Sequence, residues 1–484
     1  MNPSLATLIC ACGIAGLFYL NRDKQVRTSK ALWLPVIWIW IVGSRAVSAW
    51  FGVSPTEASA QLDGSPLDAA VFGALSAAAV GVLIRRNKRT RALLAANWPI
   101  LIYFFYCLVS VTWSYYPDIS FKRWIKAIGD LAMVLVIATE PQLRDALYRL
   151  FSRVGFLLFP ASVLLIKYYG VLGRGYTPDG EPVNTGVSTN KNTLGVMLLV
   201  ISLGTAWHIL GLLRAKGQPY RKRHLVAQGI LLAFGIALLE MANSATSIAC
   251  FALGSGLLIA TGLSAIRSRP ARVHVLCLAI VLIGGITLLF GGESVATSAL
   301  GRSSTLSGRT IIWEAVIHAV PNPIVGAGFE SFWISPCVKN VWRALVGWWH
   351  PEGLNEAHDG YIEAYLNLGW VGVCLMALIL ISGYRRSLTA FRLNQSIGGL
   401  MLAYIVAAAV YGITEAGFRM LNPIWIFLLL AVVSANGIAA GILCREEPKI
   451  PPLRVGTASE TPASNELSPQ RETIYAARRG FYPI

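Results

Sequence analysis

Long apolar runs separated by short charged segments dominate the chain. An α-helix needs about 20 mostly apolar residues to cross the hydrocarbon core, and the sequence contains roughly thirteen such runs. They lie near residues 3–20, 31–52, 67–84, 93–112, 122–140, 151–169, 191–213, 224–241, 244–265, 273–290, 360–382, 397–415 and 421–443. The pattern predicts an all-α, polytopic transmembrane bundle of 12 or 13 spans. Asn243-Ser244 is the predicted break within the nearly continuous run 224–265, and the first run is predicted to be retained rather than cleaved as a signal peptide.

The connecting segments alternate in positive charge. Six of them together carry 23 Lys and Arg residues. The segments that alternate with them carry 11, and this count includes the first residues of the helices that they border. The six richer segments are 21–30, 85–92, 140–153, 214–223, 266–274 and 384–392. Because Lys and Arg gather in cytoplasmic loops, the alternation predicts an external N-terminus, a cytoplasmic C-terminus and a long outer segment at 291–359.

The outer segment, residues 291–359, is too long to be only a connector. Helical spacing of apolar residues from Ile311 to Val320, and a second stretch from Val341 to Trp349, predict two amphipathic helices. They would either lie at the outer membrane surface with Trp at headgroup level or pack on the bundle as a lid. The predicted organisation is therefore 1–290 as N-terminal transmembrane helices, 291–359 as a capping loop, 360–443 as C-terminal transmembrane helices and 444–484 as a disordered tail.

Composition supports the membrane assignment. The 484 residues are 55% hydrophobic and 13% charged, and mean hydropathy is +0.58. A soluble fold cannot cover that much apolar surface with polar atoms, and a disordered chain would be far more polar. The net charge of +17 fits membrane orientation, because no Lys/Arg run is interleaved with aromatics as nucleic-acid binding requires. Eight scattered cysteines do not form a disulfide framework.

His358 is the candidate catalytic residue on the outer side. It opens a predicted span, and helical spacing places Tyr361 and Tyr365 on the same face. A histidine at the rim of a helical bundle can act as a general base near neutral pH. The alternative is an interfacial histidine bonded to backbone.

Several cations share the outer membrane depth with this histidine. Arg123 and Lys126 begin one span and Lys191 begins another, while Arg302 and Arg309 begin the lid. Each cation alone is explained by snorkelling or by a salt bridge to Asp130, Glu240, Glu415 or the acids of the lid. Together they suit a polyanionic headgroup such as a pyrophosphate.

Three segments imitate functional motifs. Asp179-Gly180-Glu181 resembles a metal-binding triplet, but prolines flank it, so a turn is predicted. Gly326-Ala327-Gly328 and Gly173-Arg174-Gly175 are also predicted to be turns, because neither follows a strand in a nucleotide-binding context. No metal or cofactor is predicted.

Four segments, in order, resemble the O-antigen ligase/polymerase superfamily. They are Trp113 to Ser120 leading to Arg123, Gly186 to Gly195, Gly308 to Trp313 followed by Pro321 to Gly328, and His358 to Glu363 followed by Gly369 to Gly372. The Lys191-Asn192 segment and the Glu415…Asn422 ending fit the exopolysaccharide-polymerase branch best.

The resemblance implies a metal-independent glycosyltransferase of the bacterial inner membrane. Its substrates would be glycans linked to undecaprenyl diphosphate on the periplasmic face, and other polysaccharide assembly or export proteins are possible partners. The family's histidine corresponds to His358, which would activate the acceptor hydroxyl. The family's arginines correspond to Arg309, at the start of the lid, and to Arg123. The expected site is therefore His358 and Arg309 for catalysis, with Arg123, Lys126, Lys191 and Arg302 holding the lipid diphosphate.

The chain departs from the family pattern at three places. Asn190 replaces a histidine before Lys-Asn, Asp359 follows the histidine in place of asparagine, and Ser244-Ala245-Thr246 lacks the usual cation. Arg174 or Arg45 could substitute for that missing cation. A charged Asp359 would also raise the basicity of His358.

Two other functions remain open. A ligase that joins glycan to lipid A core or to protein would differ only in its acceptor. A transporter or flippase of lipid-linked glycans is a second alternative, although such proteins often show repeated halves with broken helices at the bilayer midplane.

Overall fold

The computed structural model describes residues 2–23, 28–53, 64–176, 180–214, 220–267, 269–290, 306–345 and 354–443. The helices are α1 Pro3–Leu20, α2 Trp33–Gly43, α3 Val47–Trp50, α4 Pro66–Arg85, α5 Asn87–Ala96, α6 Trp98–Ser110, α7 Pro117–Ala138, α8 Leu143–Tyr168, α9 Gly170–Gly173, α10 Lys191–Arg214, α11 Arg221–Ala242, α12 Ala245–Thr261, α13 Ser264–Arg267, α14 Pro270–Phe290, α15 Leu306–His318, α16 Cys337–Ala344, α17 Gly360–Leu393, α18 Gln395–Tyr411 and α19 Pro423–Ala439. Two short strands, β1 Arg174–Tyr176 and β2 Pro182–Asn184, pair antiparallel.

The predicted polytopic helical bundle is confirmed. Within the described ranges, seven helices are long and apolar enough to cross a membrane, or eight if α5 and α6, bent by 85°, form one broken span. This is fewer than the 12 or 13 predicted. The other five predicted runs form helices that are shorter than a bilayer, or, in α7, a helix whose first half carries Lys122, Arg123 and Lys126.

Burial separates central from peripheral helices. In the most apolar 18-residue stretch of each helix, 72% of the residues are buried inside the protein in α10, against 11% in α1 and 17% in α4. Every residue of α19 from Pro423 to Ile438 is buried. The exposed apolar residues of α1 and α4 would be unfavourable in water but suit hydrocarbon. The periphery therefore has the composition of a lipid-facing surface.

The predicted break at Asn243-Ser244 is confirmed. Helix α11 ends at Ala242, and Asn243 adopts a left-handed conformation with φ 49° before α12 begins at Ala245. Asparagine tolerates this conformation better than most residues, which explains how two apolar helices separate without proline or glycine.

The described part of the outer segment packs on the bundle. Helix α15 contacts α16 and α17, and these elements share a buried cluster that includes Val316, Phe332, Val341 and Leu366. The lid interpretation therefore fits the described residues better than a helix lying free on the membrane surface. Residues 291–305, 346–353 and the predicted tail from 444 lie outside the described ranges.

Residues 321–335, which follow α15, pack against a break in α17 and are here called the docking loop. Gly369 interrupts α17 with φ 63° and ψ −165°. At this break the backbone N–H groups of Trp370 and Ala327 donate to the carbonyls of Pro323 and Leu366, at 2.9 and 3.0 Å respectively. Gly326 and Gly328, with φ of 70° and 96°, form turns as predicted, but these turns also join the lid to α17.

Gly173-Arg174-Gly175 differs from its prediction, since Arg174 and Gly175 begin strand β1 rather than a turn. This pairing could not be predicted from the sequence, because the strands have only three residues each and lie in a loop. The predicted turn at Asp179-Gly180-Glu181 lies in the connection between the strands, where Gly180 has φ 80° and Asp179 is outside the described ranges.

We expect Gly369→Ala to destabilise the protein strongly. The backbone conformation of Gly369 is accessible almost only to glycine, which costs another residue about 1–3 kcal/mol. In addition, a Cβ atom would lie 2.2 Å from the carbonyl carbon of Ile324. Thermal unfolding of the detergent-solubilised chain measures the loss.

Gly81→Ala in α4 is the matched control, because a Cβ there would meet nothing within 4 Å. It should leave stability unchanged or raise it by about 0.5–1 kcal/mol. Equal stabilities of the two variants would contradict the docking of residues 321–335 on Gly369.

Candidate functional site

The backbone on both sides of His358 is fixed by side chains from other elements. The N–H of Ala357 donates to Glu363 Oε1 at 2.6 Å, and the carbonyl of Ala357 accepts from Trp313 Nε1 at 2.9 Å. On the other side, the N–H of Gly360 donates to the carbonyl of Gly412 at 2.7 Å. His358 itself is left-handed, with φ 51°. Its position therefore depends on α15, α17 and the loop after α18 together.

Asp359 caps α17 and does not pair with His358. Asp359 Oδ1 accepts the N–H groups of Tyr361 and Ile362, both at 2.8 Å, as an aspartate at an N-cap does. Glu356 and Glu415, rather than Asp359, account for the raised pKa of His358, and Oδ1 of Asp359 is used to cap the helix. Tyr361 is also no part of the site, since its hydroxyl donates to the carbonyl of Ala409 at 3.0 Å.

Glu356 is the carboxylate that pairs with the histidine. Its Oε1 lies 3.1 Å from His358 Nδ1, and both side chains are about one-third exposed. Burial alone would lower the pKa of His358, but the hydrogen bond and charge of Glu356, with the charge of Glu415, raise it above its ordinary value. Burial alone would raise the pKa of Glu356, but His358, Arg419 and Arg309 bring it below its ordinary value. Both groups thus favour the ion pair.

Glu415 is a second carboxylate near the imidazole. One ligand atom each of Glu356, His358 and Glu415 lie within 4.8 Å of one another. Burial raises the pKa of Glu415 to about 7, although His358 and Arg309 favour its charged form. Asn192 Nδ2 also donates to Glu415 Oε2, at 3.2 Å.

Two of the predicted cations belong to this group. Arg309, on α15, acts electrostatically on Glu356, His358 and Glu415. Lys191, the first residue of α10, acts on Glu415. The His358 cluster is the name used here for five residues: Glu356, His358, Glu415, Arg309 and Lys191. Arg309 and Trp313 are four residues apart and therefore lie on the same face of α15. This explains how the segment Gly308 to Trp313 both places a positive charge at the site and positions the histidine. Arg302 lies outside the described residues.

Arg123 and Lys126 form part of a second group of cations. They line a cavity of about 460 Å³ with Lys122, Arg419 and residues of α4. Arg123 also donates to the backbone carbonyl of Glu330. The predicted phosphate-binding residues therefore do not all converge on one point, because α7 carries its cations toward α4 rather than toward α10.

Arg419 connects the two groups and was missed by the sequence reasoning. It lines the cavity, while its Nε lies 3.4 Å from Glu330 Oε2 and its Nη1 lies 3.9 Å from Glu356 Oε2. Burial would lower the pKa of Arg419, but the charges of Glu330, Glu363 and Glu356 raise it. Its only sequence signal was its place in the Glu415…Asn422 ending.

The loop that carries Arg419 is fixed by two carboxylates, which accept hydrogen bonds from its backbone N–H groups. Glu330 Oε1 accepts the N–H of Met420 at 3.2 Å. Asp130 Oδ2 accepts the N–H of Leu421 at 2.8 Å, and Asp130 Oδ1 accepts from Trp38 Nε1 at 2.8 Å. Asp130, considered above as a counter-ion, thus serves to fix this loop.

Neither proposed substitute for the missing family cation reaches these groups. Arg45 donates to the carbonyls of Leu172 and Ser188, and Arg174 donates to the carbonyl of Ile166. Both guanidinium groups therefore serve the loop that follows α8.

The His358 cluster also has the donor set of a metal site. Two carboxylates and an imidazole at this spacing could ligate a cation. However, Arg309, Lys191 and Arg419 act on the same carboxylates and oppose the approach of a divalent ion. The charges fit an ion-pair network better than a metal centre.

Comparison with known proteins points to one family. Residues 229–377 match the family model described as O-antigen ligase. The exopolysaccharide production protein ExoQ of Rhizobium meliloti (strain 1021) is 24% identical over 296 residues, which cover 59% of this chain and 64% of the relative. The chain thus spans somewhat less than two thirds of that relative's length. These findings confirm the resemblance to the O-antigen ligase/polymerase superfamily, and the family match includes Arg309, Glu356 and His358.

We expect Glu356→Gln to lower stability more at pH 6 than at pH 9. The pKa of His358 is higher in the folded protein than in the unfolded chain, where it is about 6.5. The pairing of His358 with Glu356 therefore contributes its full stabilisation below the unfolded pKa and loses it as the pH rises through the folded pKa. For a pair that is partly exposed, the loss at pH 6 should be about 1 kcal/mol or less. Thermal unfolding at the two pH values measures it.

Glu314→Gln on the exposed face of α15 is the control and should show no such pH dependence. An equal loss for Glu356→Gln at both pH values would show that the carboxylate does not pair with a protonated His358.

Proposed function

We propose that the chain is a membrane glycosyltransferase of the O-antigen ligase/polymerase type that polymerises or transfers glycans linked to undecaprenyl diphosphate. The observation on which this proposal rests is the pairing of His358 with Glu356 at 3.1 Å, beside Arg309 and Lys191. The family match and the exopolysaccharide production relative support this class of reaction.

His358 is the general base in this proposal. Because Nδ1 is bonded to Glu356, Nε2 is the nitrogen that can take a proton from the acceptor hydroxyl, as in other histidine bases oriented by a carboxylate. The acceptor oxygen attacks the anomeric carbon of the donor, the bond from that carbon to the lipid diphosphate breaks, and configuration inverts. The proton goes to His358 and the electron pair leaves with the diphosphate.

The cations stabilise the leaving group. Arg309 acts on Glu356 and Glu415, and Lys191 acts on Glu415, so both cations are placed to neutralise charge on a departing diphosphate. Arg302, at the start of the lid, completes this leaving-group site in the proposal, whereas Arg123 and Lys126 line the separate cavity beside α7. With these cations the reaction needs no metal, and we expect transfer to continue in the presence of a chelator.

The packing of α15 on α17 supports a role for the outer segment in excluding water from the reacting centre, so that transfer exceeds hydrolysis. The distribution of Lys and Arg supports a site on the periplasmic face of the inner membrane and a cytoplasmic C-terminus.

We expect His358→Ala to reduce glycan transfer by about 10²–10⁴-fold, the usual contribution of a general base. The protein should remain in the membrane at its normal level. The measurement is the gel profile of surface polysaccharide from a deletion strain that expresses the variant.

His318→Ala is the matched control, since His318 lies on the same outer segment and is exposed, with Nδ1 hydrogen-bonded to the carbonyl of Glu314. This variant should restore a normal profile. Normal polysaccharide from His358→Ala would remove the mechanism. In the deletion strain, shortened chains indicate a polymerase, whereas free polymer unattached to its carrier indicates a ligase. Loss of repeat-unit export would favour a flippase.

A further inference from the structure

The cavity beside α7 is separated from His358 by protein groups. Glu356 and Arg419 lie between them: Glu356 contacts the imidazole, and Arg419 contacts Glu356 on one side and lines the cavity on the other. The docking-loop residues Trp333 and Ile334 form another part of the cavity wall. A ligand in the cavity therefore does not occupy the position between Arg309, Lys191 and His358.

The cavity, here called the cationic cavity, has the chemistry of a phosphate site. Its wall includes Lys122, Arg123, Lys126 and Arg419, and among the described residues that line it there is no aspartate or glutamate. Its volume of about 460 Å³ is within the usual range for small-molecule sites. Glu330 and Glu356 pair with Arg419, and Glu330 and Asp68 act on Arg123 and Lys126 from outside the lining. The lining itself carries four positive charges and so favours an anion with several oxygens, and arginine recognises phosphate by paired hydrogen bonds.

Part of the remaining wall is apolar and lies next to the predicted lipid-facing surface, while Ser65, Ser76 and Asn355 add polar groups. Phe72, Ile119, Ile125 and Ile334 line the cavity, and Ile125 is 44% exposed. The cavity lies between the first halves of α4 and α7, and α4 is a candidate span that is mostly unburied within the protein. An acyl or prenyl chain attached to an anion in this cavity could therefore extend between α4 and α7 into the bilayer.

We propose that the cationic cavity binds the diphosphate headgroup of a second prenyl-linked substrate, the glycan acceptor, separately from the donor diphosphate held by Arg309 and Lys191. This inference rests on the proposed glycosyltransferase function. It assigns Lys122 and Arg419 to substrate binding together with Arg123 and Lys126. Arg419 then joins the two sites, because its guanidinium contacts the carboxylate that orients the base.

Two prenyl-linked substrates make the reaction a polymerisation. The acceptor headgroup would occupy the cationic cavity while its sugar extends past Asn355, which lines the cavity and immediately precedes Glu356 in the chain. A ligase that uses a protein acceptor would need no second diphosphate site.

The test counts bound lipid on the full-length chain in detergent by native mass spectrometry, with geranylgeranyl diphosphate as the probe. The unsubstituted protein should bind two molecules. Lys126→Gln should abolish one binding event or weaken it at least tenfold, and Arg309→Gln should do the same to the other. Retention of the Arg309-dependent molecule in Lys126→Gln shows that this variant is folded.

Lys167→Gln is the control, since Lys167 is an exposed cation at the end of α8 outside the cavity. It should bind two molecules as the unsubstituted chain does. A single bound molecule in the unsubstituted protein, or two undiminished molecules in Lys126→Gln, would overturn the proposal. Equally tight binding of inorganic pyrophosphate at the Lys126 site would overturn its lipid part, and geranylgeraniol should not bind there.

The outcome is distinguishable from failure of the proposed function. Normal glycan transfer by His358→Ala removes the glycosyltransferase mechanism whatever the lipid count is. One bound lipid with inactive His358→Ala removes only the second site.

Discussion

The site depends on one chain of charges that runs from Glu330 through Arg419 and Glu356 to His358. Its links are 3.4, 3.9 and 3.1 Å long. Each partly buried charge would be costly alone, and each is compensated by a neighbour of opposite sign. Removing Arg419 would leave Glu330 and Glu356 without this partner, so the orientation of the histidine depends on a residue that does not touch it.

Backbone strain coincides with this chain of charges. The described non-glycine residues with positive φ are Asn243, Glu330, His358 and Leu421, and all but the first lie at the site. Such conformations cost about 1–3 kcal/mol each and persist only where the surroundings fix them. Here the surroundings are specific: Glu330 and Asp130 hold the loop around Leu421, while Trp313 and Glu363 hold the residue before His358.

Hydropathy was sufficient to predict the helical bundle and the break at Asn243, because both follow from local composition. It could not show that α5 and α6 bend by 85°, because a bend of this kind depends on packing. It also could not show that the docking loop packs on the break at Gly369, since these contacts join residues far apart in the sequence. The same limit applies to the site. His358, Arg309 and Lys191 were identified as candidates, but the partner of the imidazole proved to be Glu356 rather than the adjacent Asp359.

Arg123 and Lys126 show why a shared membrane depth does not predict a shared site. Positive charge at the start of a span fixes how far the residue lies from the bilayer centre, but the rotation of the helix decides which neighbour it meets. Helix α7 turns Arg123 and Lys126 toward α4, and Arg419 extends from their cavity to the His358 cluster. That arrangement is a property of packing, which a pattern along one helix does not contain.

The two carboxylates beside His358 have opposite pKa shifts, and the difference suits a base that works next to an anionic substrate. Glu356 has a lowered pKa and supplies one full negative charge, which orients the ring and increases its basicity. Glu415 has its pKa raised to about 7, so near neutral pH it is partly protonated and repels a diphosphate less than a second full charge would. One charged and one partly neutral carboxylate therefore support the imidazole while leaving Arg309 and Lys191 able to attract phosphate.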